Sequence, residues 1–127
     1  MSKVPIVLAA VAFIATSLLA IGATALVAPE KAASMFGVPY ASTQTRAYVW
    51  AAGTRDIAIG GLLLGLVILR VGRQVLGASL IVAALIPVGD VLIVYINTGT
   101  QNKAALVLHS LGIVSFLALG PFEPTQR

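Results

Sequence analysis

The sequence predicts an all-α protein, a transmembrane up-down four-helix bundle, and three observations carry that reading. Of 127 residues, 59% are hydrophobic and only 9% are charged. The mean hydropathy is +1.03. The apolar residues gather into runs near the roughly 20 residues that a helix needs to cross about 30 Å of hydrocarbon. A soluble domain carries roughly 25% charged residues. A chain with so few cannot cover a globule with polar surface, so its solvent is lipid. The length leaves room for a single integral membrane domain, residues 1–127, and no separate soluble module.

Four apolar segments follow in order. The first, about 4–28, ends at Pro29-Glu30-Lys31. Its apolar run exceeds the 7–15 residues of a signal-peptide core, and Pro29 directly follows its small residues, so it reads as a retained helix. The second, about 46–69, stops at Arg70-Val71-Gly72-Arg73, and the third, about 74–96, closes in Asn97-Thr98-Gly99-Thr100-Gln101-Asn102. The fourth, about 103–119, is ended by Gly120-Pro121 and lies at the lower edge of the spanning range. Short links from second to third and from third to fourth make those neighbours antiparallel. The longer first link carries a short interfacial helix over 30–36, capped by Gly37, whose Met35 and Phe36 are expected to dip into the bilayer boundary.

Basic residues flank these segments. Lys3, Arg70, Arg73 and Arg127 fall on one side, and Lys31, Arg46 and Lys103 on the other. The positive-inside rule then leans towards the cytoplasmic membrane with both termini in the cytoplasm. Despite a formal charge of +4 and a pI near 10.0, the cations form no stripe that could track phosphates, so nucleic acid is excluded as a partner. With no Cys, the chain has no disulfide, thiolate metal site or cysteine nucleophile, and a single His leaves no conventional zinc site. No metal and no cofactor are expected. On the second segment Gly61 and Gly65 form a GxxxG pair, the kind of surface through which a homodimer packs in lipid.

Against this apolar background a few polar residues stand out. Arg55 and Asp56 interrupt the second segment and Asp90 the third. A charge at the bilayer centre costs about 2.5–3.5 kcal/mol on the mildest scale, so it needs a partner or a function. Counted from the turn at Val71-Gly72 at about 1.5 Å per residue, Arg55 and Asp56 lie roughly 23–25 Å along the second helix and Asp90 roughly 28 Å along the third. From the other surface His109 lies about 10 Å down the fourth helix, close to that level. Thr16 and Ser17 on the first helix are a little deeper. All four segments thus bring a polar group to one half of the bundle.

Each group also has a structural reading. Arg55 and Asp90 form a register-fixing ion pair as readily as a catalytic one. Asp56 leaves its helix about 100° from Arg55, which directs it to the first or fourth helix, towards Thr16, Ser17 or His109. Thr16 and Ser17 can bond their own helix carbonyls. Tyr48, Trp50 and Tyr95 fit an interfacial aromatic belt as well as a ligand contact. One Arg against two carboxylates leaves a negative excess, which a proton on one acid would cancel, and an acid so held beside a His is a proton donor. Pro87, three residues before Asp90, removes a helix hydrogen bond and should kink the third helix, with Gly89 in the same turn.

The run Thr54-Arg55-Asp56-Ile57-Ala58-Ile59-Gly60-Gly61-Leu62, the later Pro87-Val88-Gly89-Asp90 and the loop ending Phe36-Gly37-Val38-Pro39 resemble a family of small four-helix membrane proteins classified as a domain of unknown function, more distantly similar to the DoxX-like group. The resemblance implies the bundle and points to Arg55, Asp56 and Asp90 as the family's polar positions. It implies no activity. DoxX-like proteins are linked to quinone-associated redox steps, and this chain has no Cys or cofactor motif to carry that link.

The expectation is a membrane protein whose bundle encloses a polar pocket for a lipophilic small molecule, with membrane lipid as its other partner. Acid–base chemistry such as isomerisation, cyclisation or epoxide opening would fall to Asp90 and Asp56 as proton exchangers, Arg55 as charge stabiliser and His109 as relay. Thr16, Ser17, Tyr48, Trp50 and Tyr95 are the candidate ligand contacts. The alternatives are a proton-coupled transporter acting as a dimer and a non-catalytic accessory subunit.

Overall fold

The computed structural model describes residues 4–120, so Lys3, Pro121 and Arg127 lie outside the described residues. Six helices follow one another: α1 (Val4–Val27), α2 (Pro29–Phe36), α3 (Thr43–Ile68), α4 (Arg73–Ala83), α5 (Leu85–Thr98) and α6 (Lys103–Leu119), with no strand among the described residues. Three stretches are long and apolar enough to cross a membrane: α1, α3 and the run Arg73–Thr98 formed by α4 and α5. At 17 residues α6 is shorter. The chain is a small, all-helical integral membrane protein.

Local chemistry sets most boundaries. A residue before proline is pushed out of the helical region, and Ala28 breaks from α1 at φ −139° so that Pro29 can open α2. Gly37 ends α2 in the left-handed conformation at φ 94°, donating its N–H to the Ala33 carbonyl at 2.9 Å. The hydroxyl of Ser42 accepts from Thr45 N–H at 3.2 Å and starts α3 three residues before Arg46. Arg46 thus lies within the helix, its guanidinium 5.5 Å from the centre of the Trp50 ring one turn on. The side chain of Asn102 caps α6 by accepting from Ala105 N–H at 3.1 Å.

The third span is interrupted at Ala84, which separates α4 from α5. Pro87 has no N–H to return to the Ala83 carbonyl, and the break falls in the turn that this missing bond would have closed.

α1 and α3 lie antiparallel and very close. A Cβ added at Gly53 would sit 2.5 Å from the Cβ of Ala25, and one at Gly60 would sit 2.7 Å from the Ala15 carbonyl oxygen. Only glycine allows the two backbones to come so near. Gly61 and Gly65, by contrast, have nothing within 4 Å of an added Cβ, so they face outward and do not join helices within the chain. On the other side of the molecule α6 lies antiparallel to α4 and α5, with Gly112 against Pro87 and Gly120 against Ile81.

Two apolar clusters fill the interior. Val11, Ala15, Leu63, Leu76, Leu80 and Phe116 pack around the end where α3 turns into α4. Ala25, Ala33 and Val49 pack beneath α2 at the opposite end. Between them the α1–α3 pair stands away from the α5–α6 pair.

Candidate functional site

In that gap lies a cavity of about 310 Å³, bounded by α1, α2, α3, α5 and α6. Its wall is mostly apolar, from Phe13 and Leu18 on α1 through Ile59 on α3 to Pro87 and Phe116. Ala25 and Phe116, one from each apolar cluster, both reach it. Two carboxylates and an imidazole, of Asp56, Asp90 and His109, interrupt this surface.

Arg55 organises them. Its Nη1 donates to Asp90 Oδ1 at 3.1 Å and its Nη2 to Asp90 Oδ2 at 3.3 Å, a two-pronged bridge from α3 to α5. Its Nε and Nη2 also donate to Asp56 Oδ1 at 3.0 and 2.9 Å. One guanidinium therefore holds both carboxylates, and the buried salt bridge joins separate spans at a common level. The carboxylates are the more enclosed partners: side-chain exposure is 8% for Asp90 and 13% for Asp56 against 32% for Arg55. Although one-third exposed, Arg55 contributes nothing to the cavity wall. The acids, and not the cation, line the cavity.

His109 completes the set from α6. Its Nδ1 lies 3.9 Å from Asp90 Oδ2, and its Nε2 lies 3.0 Å from the carbonyl oxygen of Phe36. A carbonyl can only accept, so Nε2 carries the hydrogen in this contact and Nδ1 is the nitrogen turned to the carboxylate. The ring of Phe36 packs against His109 with centroids 4.8 Å apart and meets Tyr48 edge-on at 6.1 Å. Because Gly37 turns the chain at this point, the end of α2 docks on α6 near Asn102 and Ala105 and delivers the Phe36 carbonyl to the histidine.

The sequence-derived residues fall into three groups. Arg55, Asp56, Asp90 and His109 converge. Ser17 and Tyr48 line the same cavity. Thr16, Trp50 and Tyr95 do not: Thr16 is exposed and bonded to the Ala12 and Phe13 carbonyls of its own helix, and Trp50 and Tyr95 are 44% and 55% exposed.

Two expectations are corrected. Asp56 lines the cavity with Ser17 and His109 but forms no hydrogen bond with Thr16, Ser17 or His109, because the flexible Arg55 side chain folds back along its own helix and bonds it. Phe36, expected to dip into the bilayer boundary, has its ring half-buried against His109 and Tyr48, while Met35 is exposed. The signal for Phe36 was its place just before the Gly37 cap, where a helix end leaves carbonyls free for an outside donor.

Among the described residues no group of three His, Cys, Asp or Glu side chains is placed to hold a metal ion. A model of the family described as Domain of unknown function (DUF4267) matches residues 15–122, a stretch that contains every ionisable group of the cluster. No curated protein and no solved structure matches the chain. The match is to the domain-of-unknown-function family and leaves the DoxX likeness an expectation.

Proposed function

We propose that this chain, which belongs to the DUF4267 family, holds a lipophilic small molecule in its intramembrane cavity, with the apolar wall taking the body and the Asp56–Asp90–His109 face taking a polar end. The observation that carries this reading is the cavity itself: about 310 Å³, partly open and mostly apolar, yet faced by two carboxylates and an imidazole. Small-molecule sites have this make-up, a few placed polar groups in an apolar cleft, and begin at about 300 Å³. A cluster serving register alone needs no space beside it.

If the occupant is turned over, the chemistry is proton exchange. Asp90 Oδ2 and His109 Nδ1 face each other at 3.9 Å, within reach of one another through a small shift or a single water. Arg55 acts as the positioning residue for both acids. Isomerisation, cyclisation and epoxide opening all fit this pairing. Proton-coupled transport by a dimer and an accessory role remain proposals of other classes. Outward-facing Gly61 and Gly65 would supply the dimer face, and both termini would lie in the cytoplasm.

A photoreactive dodecanol bearing a diazirine, presented to the protein in zwitterionic nanodiscs, tests the cavity. It should label the cavity side of α6, between Leu108 and Phe116, and Ser17→Phe should reduce that labelling by about fivefold or more. Labelling confined to outer surfaces, or unchanged by Ser17→Phe in folded protein, would remove the ligand reading.

A further inference from the structure

We propose that the polar end this cavity selects is a positively charged amine, so that the occupant is a lipophilic ammonium compound. The inference rests on the reading of the cavity as a ligand site and adds the chemistry of the head group. It follows from counting which polar atoms on the wall still have hydrogen-bonding capacity.

The donors are nearly all engaged. Ser17 donates to the Phe13 carbonyl at 2.8 Å, Thr24 to Ala20 at 2.9 Å and Ser115 to Leu111 at 2.8 Å, each within its own helix. Nε2 of His109 is turned to the Phe36 carbonyl. Nε, Nη1 and Nη2 of Arg55 all point to carboxylate oxygens, and Arg55 is not on the wall. That leaves the Tyr48 hydroxyl as the wall's unengaged side-chain donor among the described residues.

Acceptors remain. Both Arg55 bonds to Asp56 go to Oδ1, and among the described residues no hydrogen bond reaches its Oδ2. The carboxylate of Asp90 keeps lone pairs beyond its Arg55 contacts, and the serine and threonine hydroxyls can still accept. A carboxylate or phosphate head would find two acids and almost no donor. A hydroxyl head would find acceptors but leave the charge unbalanced. With both acids ionised, one guanidinium faces two carboxylates, and an ammonium supplies both the missing positive charge and up to three N–H donors. Its attraction to the carboxylates is screened less than in water, because most of the wall is hydrocarbon.

The obvious objection is that Arg55 repels a cation. Arg55 is absent from the cavity wall while Asp56 and Asp90 line it, so an ammonium there meets carboxylate oxygens and not the guanidinium.

The test is competition against the photoreactive dodecanol in the same zwitterionic nanodiscs, using dodecylamine at neutral pH, dodecanol and laurate. Each competitor is scored by its mole fraction in the bilayer, so that partitioning does not enter. Dodecylamine should halve α6 labelling at about a tenfold lower fraction than dodecanol, with laurate weakest. Asp56→Asn should shrink that advantage to about threefold or less, because the amide keeps an acceptor oxygen and loses the charge. Dodecanol or laurate matching the amine in the wild-type protein would overturn the head-group inference and leave the lipophile site standing. Absence of cavity labelling before any competitor is added would instead remove the site itself, and the inference with it. The wild-type comparison decides the matter even if Asp56→Asn fails to fold.

Discussion

The two sides of α3 join their neighbours by opposite means. Towards α1 the helix has Gly53 and Gly60, and the backbones touch with no space for even a methyl group. Towards α5 backbone contact is sparse, and a long side chain crosses the gap to Asp90. Lipid tails are as apolar as leucine, so helices in a bilayer gain nothing from merely hiding hydrocarbon from one another. What remains is close packing or polar attachment. Arg55 lies only two residues after Gly53, so α3 uses both within a single turn. The glycine seam leaves no room for anything else. The ionic attachment holds α5 at arm's length, and the cavity occupies the space so created.

Removing the attachment should have the largest effect. Arg55→Ala leaves two carboxylates without their cation in the interior; breaking such a set costs about 3–5 kcal/mol, and the partial exposure of the guanidinium places this one near the lower end. Reversible unfolding in bicelles should show that loss. Combining Arg55→Met with Asp56→Leu and Asp90→Leu should restore most of it, because the charges and their desolvation go together. If Arg55→Ala costs under about 0.5 kcal/mol, the polar side is not what holds α5 in place.

The seam comes next. Gly53→Ala puts a methyl group 2.5 Å from Ala25 Cβ and 2.9 Å from the Gly22 carbonyl, and should cost about 1–3 kcal/mol by the same measurement. Cross-linking between cysteines introduced at the α1–α3 contact would show the pair spreading. An Ala variant as stable as the parent would mean that the two backbones are not so tightly apposed.

Smallest is the outward pair. Gly61→Leu meets open space and should change monomer stability by less than about 0.5 kcal/mol. Any effect should instead appear in the oligomeric state, read by single-molecule photobleaching in vesicles. A large loss of monomer stability would show that Gly61 belongs to the internal seam.

Several of these features could be read from the chain. The length of the apolar runs implies the spans, Pro29 and Gly37 bracket α2, and Pro87 signals the interruption at Ala84. The meeting of Arg55, Asp90 and His109 follows from helical rise alone, since three groups at one depth in a medium that penalises charge have few other partners. The rest depends on directions that rise does not encode. A GxxxG spacing marks a smooth strip without saying which way it faces, and Gly61 and Gly65 turn out while Gly53 and Gly60, with Gly22 of another helix, turn in. The 100° between adjacent residues separates the stems of Arg55 and Asp56, but a side chain with several rotatable bonds can close that angle. The docking of Phe36 on His109 joins residues 73 positions apart through a backbone atom, which leaves no trace in residue identity.

That docking has a reach beyond packing. With one ring nitrogen bound to a peptide oxygen, the imidazole has a single vacant basic position, and it is aimed at Asp90. Should α2 lift away, the other nitrogen would be released and the ring could swap tautomers. A movement of α2 would thereby become a relocated hydrogen beside Asp90, without any change of net charge.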